Sequence, residues 1–257
     1  MHTRISPDNP HGYNRYGFAW EQVPRGSLAH LDFGCHDGAF LSTLRSKGVK
    51  RLVGVDISKE ALDKGSRFLP ELELKKIEHA ASLPFDNAQF DSITVLDVLE
   101  HVYEQRELLA ELTRVLKTQG RIIVTVPGRH IFSCLDRGNL KFLLPRLHRW
   151  YYCRRHSRRE YERRYVANPD GLIGDISARK RWHEHLRRRR LRRLLEEAGL
   201  DVIDIDGTGF FQRLITMVNL LLLRWFKPVQ PLIRKLLVLD AKRFECTNLF
   251  CVAQKRS

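Results

Sequence analysis

The sequence predicts an α/β fold, and three features carry the prediction. Leu31 to Phe40 reads Leu-Asp-Phe-Gly-Cys-His-Asp-Gly-Ala-Phe, a short apolar strand that breaks into a glycine turn and then opens a helix. About twenty residues on, Arg51-Leu-Val-Gly-Val-Asp56 is a second apolar run, and it ends in a carboxylate. From residue 29 to residue 126 such runs alternate with helical patterns. Strands separated by helices imply right-handed crossovers and a parallel sheet. A glycine turn that leads into a helix start turns free N–H groups toward a ligand, and an acid ending the next strand offers an acceptor to a ribose hydroxyl pair. The pair of signals reads as a nucleotide-binding turn.

Taken in order, residues 1–28 are rich in Pro, Gly, Asn and aromatics and read as an N-terminal arm or lid, with a short helix at 16–23. The domain proper is 29–257. Its first strand is 29–33, a helix follows at 39–47, and the second strand is 51–56. Ser58 caps a helix that runs to Phe68, and the third strand lies at 72–77. The polar turn 83–91 leads to a fourth strand at 92–96, then a helix at 106–116, the Gly120 turn and a fifth strand at 121–126, which Pro127 ends. Residues 182–198 read as a helix closed by Gly199, with Leu186, Leu191, Leu194, Leu195 and Ala198 as its inward stripe. Strands at 200–205 and 248–254 complete the count. The expected architecture is a Rossmann-like, seven-stranded, mostly parallel sheet flanked by helices. It carries a basic helical insertion after strand five (128–181) and an apolar helical insertion between strands six and seven (208–245).

Glycine spacing separates two kinds of ligand. A dinucleotide fingerprint starting at Gly34 needs glycines at positions 36 and 39, where this chain has His36 and Ala39. The pattern D-x-G-x-x-x-G, from Asp32 to Gly38, fits instead, and here the chain resembles the first motif of class I S-adenosylmethionine (SAM) dependent methyltransferases. The resemblance continues through Ala80, Leu83-Pro-Phe, Phe90-Asp91, Glu100-His101 and Leu116-Lys-Thr-Gln-Gly120, so that residues 29–127 look like the ubiquinone and menaquinone type of that family. It implies SAM as cofactor and methyl transfer as the activity. It implies that Asp32 takes the methionine end, that the turn with Gly34, Cys35 and Gly38 passes beneath it, and that Asp56 holds the ribose beside Ile57. His79 and Ala80 stand at the adenine position and Asp97 at the end of strand four. The family usually has glycine at His36 and Asp at His79. A neutral His79 imidazole would accept from the adenine amino group while the Ala80 N–H donates, which predicts weaker cofactor binding in acid.

Ligands in an open parallel sheet bind beyond the carboxyl ends of the strands, which gathers Asp32–Gly38 and Asp97–His101 around one cleft. His101 is the candidate general base, with a structural helix-start histidine as the alternative. Asp97, Glu100 and His101 would share one face of a helix, a pattern similar to the metal-binding Glu-x-x-Glu-His of some relatives, with His183 or His185 as a fourth ligand. The metal-free reading is preferred. Arg15 is read as a solvated surface residue rather than as a partner for the SAM carboxylate.

Composition (43% hydrophobic, 29% charged) is that of a globular protein and excludes a disordered chain. The net charge of +15 points to an acidic partner. Residues 146–193 hold 17 Lys or Arg against 5 Asp or Glu, interleaved with aromatics that would stack on bases or sit among lipid headgroups. In the 208–245 insertion, positions 212, 213, 216 and 219 are polar and share a helical face, leaving a wide apolar face for the domain, a dimer partner or a membrane. Five cysteines without a C-x-x-C pair suit a reduced, cytoplasmic setting, and the N-terminus lacks the apolar core of a signal peptide. No uninterrupted apolar run of about 18 residues exists to span a bilayer. The leading expectation is methyl transfer to oxygen of a small-molecule, glycan or lipid-linked acceptor near an anionic membrane surface, with peripheral attachment to its inner face and nucleic acid as a second-choice partner. RNA methylation is the alternative, and a catalytically silent SAM-binding module the second alternative.

Overall fold

The computed structural model describes residues 6–11, 14–130, 144–167, 184–219, 226–244 and 247–257. In chain order its elements are α1 (Arg15–Gln22), β1 (Ala29–Phe33), α2 (Ala39–Thr43) with a 3-10 turn (Leu44–Lys47), β2 (Arg51–Asp56) and α3 (Lys59–Phe68). They continue with β3 (Glu73–Lys76), β4 (Phe90–Leu96), α4 (Gln105–Val115), β5 (Leu116–Pro127), α5 (Pro145–Cys153) and α6 (Arg158–Tyr161), which runs into a π turn (Glu162–Ala167). The rest are α7 (Arg188–Glu197), β6 (Leu200–Gly207), α8 (Gln212–Val218), a 3-10 turn (Lys227–Val229), α9 (Gln230–Phe244) and β7 (Asn248–Lys255).

Among the described residues the sheet has seven strands in the order β3-β2-β1-β4-β5-β7-β6. The pairs β1–β2, β2–β3, β1–β4 and β4–β5 are parallel, and β7 runs antiparallel to both of its neighbours. Chain order reverses between β1 and β4, and in such sheets the crevice beyond the carboxyl ends at that point receives the ligand.

The central strands β1, β2 and β4 are buried on both faces because both faces are covered. One side gathers Leu31, Val53, Ile93 and Val124 against Leu108, Leu109 and Leu112 of α4 and Leu191 and Leu195 of α7. The other packs Ile123, Phe250 and Val252 against Phe18 and Trp20 of α1 and Phe40 and Leu41 of α2. Residues 17–20 of α1 thus belong to the core. Lys47 holds α1 from below: its Nζ donates to the carbonyls of Trp20 and Glu21 and lies 4.5 Å from the Trp20 ring centroid. Burial lowers the Lys47 pKa to about 8.

Local signals placed most boundaries. Ser58 Oγ accepts from Ala61 N at 3.3 Å and starts α3 where the cap was expected. Four details differ. The helix expected at 182–198 begins at Arg188, because Leu186 is drawn into a bridge with Gly128 and is buried there off the helix. The 39–47 helix tightens to 3-10 after Thr43. β5 starts at Leu116 rather than 121, since Leu116 pairs with Phe90 across a register shift. The expected break around Pro228 and Pro231 is a short 3-10 turn followed by one 15-residue helix, with Pro231 near its start. Half of the basic insertion and residues 220–225 lie outside the described residues; what is described at 144–167 is mainly helical. No described helix is long and apolar enough to cross a membrane.

Candidate active site

The turn after β1 is shaped by three successive left-handed positions. Gly34 has φ of +81°, and a Cβ there would lie 2.3 Å from Val98 Cγ2, so only glycine fits. Gly38, at φ of +76°, reverses the chain into α2. Between them His36 adopts φ of +52°, the conformation in which glycine is favoured, and this accounts for the strangeness of a histidine at that position. The turn is tied to β2: Gly34 N and Cys35 N both donate to Val55 O, at 2.8 and 3.1 Å, and His36 N donates to Asp56 Oδ2 at 2.7 Å. Asp56 Oδ1 accepts from Ser58 N at 2.9 Å. One carboxylate therefore joins the glycine turn to the start of α3. The Cys35 thiol packs where Gly54 leaves room, and burial pushes its pKa up, so it acts as packing rather than as a nucleophile.

Asp32, at the end of β1, is 3% exposed and accepts from Thr94 Oγ1 at 2.6 Å. Thr94 has spent its one proton on Asp32, so it must accept from His30 Nε2, 3.0 Å away, which leaves His30 Nδ1 to accept from Ser92 Oγ at 2.8 Å. Burial holds His30 neutral, with a pKa lowered to about 3. Burial raises the Asp32 pKa to about 7, the Thr94 hydrogen bond opposing and the charge of Asp56 adding to the rise.

The opposite wall comes from the end of β4. Asp97 has φ of +54°, and its N donates to Thr125 O at 2.9 Å. Asp97 Oδ1 accepts from Thr125 Oγ1 at 2.7 Å, and Oδ2 accepts from Arg15 Nη1. Arg15 Nη2 reaches Tyr16 OH at 3.0 Å, and Arg15 Nε is buried with no hydrogen-bond partner among the described residues. Arg15 is thus a wall of the cleft, and the reading of it as a solvated surface residue is corrected. Burial works against its charge, but Asp97, Tyr16 and Glu100 together more than offset this and its pKa is raised. The left-handed Asp97 also prevents a helix from starting there. Residues 97–104 form turns, so Asp97, Glu100 and His101 do not share a helical face. Among the described residues no group of three such side chains is placed to hold a metal ion; His183 lies outside them. Glu100 is buried, with Oε1 3.8 Å from His101 Nε2.

These walls enclose a cavity of about 810 Å³, in the range of cofactor and ligand pockets. Of the residues singled out in the sequence, Asp32, Gly34, Cys35, Asp56, Ile57, Ala80, Asp97 and His101 line it. Gly38 shapes the turn from behind, and His79 is exposed and outside the wall. Sequence reasoning missed the aromatic edge, in which His11, Tyr16 and Phe40 stack with centroids 5.5–5.8 Å apart, and also missed Tyr103 and Glu104. Phe40 lay within the opening motif, but nothing local tied His11 and Tyr16 to it. Asp32, Asp56 and Asp97 make the cavity acidic at three strand ends. Such a lining suits a ligand that is cationic at one place and carries paired hydroxyls at another.

Residues 31–124 match the family model described as "Methyltransferase domain". The demethylmenaquinone methyltransferase of Clavibacter sepedonicus is 36% identical over 96 residues, covering 37% of this chain and 39% of that protein. The ubiquinone biosynthesis O-methyltransferase of Alkalilimnicola ehrlichii is 29% identical over 129 residues, covering 47% and 52%. The chain spans about half the length or less of the curated relatives it matches. Among solved structures, the S-adenosylmethionine dependent methyltransferase from Mesorhizobium loti superposes with a TM-score of 0.57 at 16% identity, over 95% of this chain and 99% of that one, a likeness of fold.

Proposed function

We propose, from the premise that residues 31–124 are a class I SAM-dependent methyltransferase domain, that the protein transfers a methyl group to an oxygen of a small-molecule, glycan or lipid-linked acceptor. The observation that carries this reading is the acidic cavity at the β1–β4 reversal, with Asp32 and Asp56 at adjoining strand ends. SAM, when bound, supplies an electrophilic methyl group on a sulfonium cation. Asp32 suits its ammonium group and Asp56 its ribose hydroxyls. His101 is the group to take the acceptor's proton, and the buried Glu100 carboxylate at 3.8 Å would stabilise the imidazolium so formed. Much of the rate would come from holding the acceptor in line, as is general for two-substrate transfers.

The finer part of the reading is peripheral attachment to an anionic membrane surface on the cytoplasmic side. It is supported by exposed apolar side chains beside cations. On α9, Leu232, Leu236 and Leu239 recur on one exposed stripe near Lys235 and Arg243. On α5, Leu147, Trp150 and Tyr151 are exposed, with the Arg154 guanidinium 4.9 Å from the Trp150 ring and Arg155 5.6 Å from Tyr151. Such pairs suit a headgroup layer. The same pairs favour the second reading, RNA methylation, because guanidinium and ring faces also stack on bases. A homodimer through 208–245 is a competing use of the apolar stripe. Calorimetric titration with SAM tests the activity, and absence of binding would overturn it. Flotation with anionic vesicles, set beside RNA gel shifts across a salt series and light scattering, tests the surface. We expect vesicle binding by a monomer; a steep salt-dependent RNA shift without flotation would favour the second reading.

A further inference from the structure

A second cavity, of about 210 Å³, lies behind the Arg15–Asp97 pair, at the carboxyl edge of the sheet on the β5–β7–β6 side. Arg15 and Asp97 belong to both cavities, so a ligand seated here would adjoin the cofactor cleft. Its other walls include Thr208 after β6, Gln212 at the start of α8, and Asn248 and Phe250 on β7. The lining has no net charge, since the one cation and the one anion pair with each other. Asn248 Nδ2 is committed to Thr208 Oγ1 at 3.1 Å. Two buried side-chain atoms of the lining are left over. Gln212 Oε1 is a buried acceptor, and Arg15 Nε a buried donor, each without a hydrogen-bond partner among the described residues.

Leaving such atoms unpaired is unfavourable, so what fills the chamber should pair them. An ammonium group could satisfy Gln212 alone, and a carboxylate Arg15 alone. A hydroxyl both donates and accepts, and a group bearing several hydroxyls can meet both atoms at once. Amide and hydroxyl side chains, the ring faces of Tyr16 and Phe250, and zero net charge are a lining that suits an uncharged sugar ring. A quinone could accept from Arg15 Nε but has no proton for Gln212 Oε1, and a plain hydrocarbon ring would leave both atoms unsatisfied. We propose that this chamber is the acceptor subsite and that it takes a neutral, polyhydroxylated group of about one sugar ring. The proposal rests on the methyltransferase reading and narrows its acceptor class from small molecules in general to hydroxyl-rich ones.

The test uses the full chain with S-adenosylhomocysteine and three probes, methyl α-glucopyranoside, methyl α-mannopyranoside and methyl α-rhamnopyranoside, with catechol as the non-sugar arm, followed by saturation-transfer NMR. SAM affinity is measured by calorimetry on the same proteins without S-adenosylhomocysteine. At least one glycoside is expected to bind with a millimolar Kd, about tenfold more weakly in Gln212→Leu and within threefold of wild type in Gln212→Glu, which keeps the acceptor oxygen. SAM affinity should be equal in all three proteins. If no glycoside binds while SAM does, if catechol binds in preference, or if Gln212→Leu binds the glycoside as wild type does, the subsite assignment is overturned and the methyltransferase reading stands. If SAM itself does not bind, the methyltransferase reading fails and the subsite falls with it.

Discussion

The affinity for SAM should rise about tenfold between pH 6 and pH 8, and the cause should be Asp32. Burial raises the Asp32 pKa to about 7, with Asp56 adding to the rise against the Thr94 hydrogen bond. Only the ionised form attracts a cationic ligand and accepts from its ammonium group. With a pKa of about 7, roughly a tenth of the molecules are in that form at pH 6 and about nine-tenths at pH 8, and the apparent Kd scales inversely with that fraction. Calorimetry at constant ionic strength between pH 5.5 and 8.5 measures the slope. Asp32→Asn should bind more weakly at pH 8 and show little of the slope. His79→Gln should keep the wild-type slope, because His79 stands exposed outside the cavity wall. A wild-type Kd constant within twofold from pH 6 to 8, or an undiminished slope in Asp32→Asn, would refute the reasoning.

The same group gives the unliganded protein an opposite trend in stability. Its pKa is raised on folding, so its contribution is fully present below about pH 4 and is lost as the pH climbs through about 7, an effect on the order of a few kcal/mol. Asp32→Asn should therefore melt above wild type at pH 8, by a margin that shrinks at pH 5. His36→Gly removes a left-handed histidine worth about 1 kcal/mol or more of strain, offset in part by the added freedom of glycine in the unfolded chain, for a net gain below about 1 kcal/mol in urea unfolding. Its SAM affinity should stay within threefold, since the bond to Asp56 comes from the backbone. Leu109→Ala, in the fully buried contact of α4 with the sheet, should cost about 2–5 kcal/mol by chemical denaturation.

What the sequence made legible was the local part of the design. The first strand, the glycine turn, the second strand and its terminal acid are contiguous, so their apolar runs and punctuation name them without help from elsewhere. Most of the remaining strands were found for the same reason. What was not legible depends on partners far along the chain. Arg15 meets Asp97 across 82 positions, and nothing around it distinguishes it from a surface arginine. Leu186 looks like one step of a helical stripe, and only Gly128 draws it out into a bridge. The spacing of Asp97, Glu100 and His101 implied a shared face only if that segment were helical, and the backbone at Asp97 prevents it. Spacing states which residues can meet; the dihedral angles decide whether they do.

The place of β7 bears on how the molecule is made. It follows β6 in the chain yet lies between β5 and β6, and it supplies the sheet pairing of both. During synthesis the five strands that frame the cofactor cleft emerge first and can assemble, while the far edge of β5, with Ile122-Ile123-Val124-Thr125-Val126, waits for a partner more than a hundred residues away. A flat, apolar, unpaired edge is a template for other chains as well as for its own. The late docking of β7 therefore joins the last long-range contacts of the sheet and closes its most adhesive surface. It is the step at which a crowded or hurried synthesis would lose this protein to aggregation.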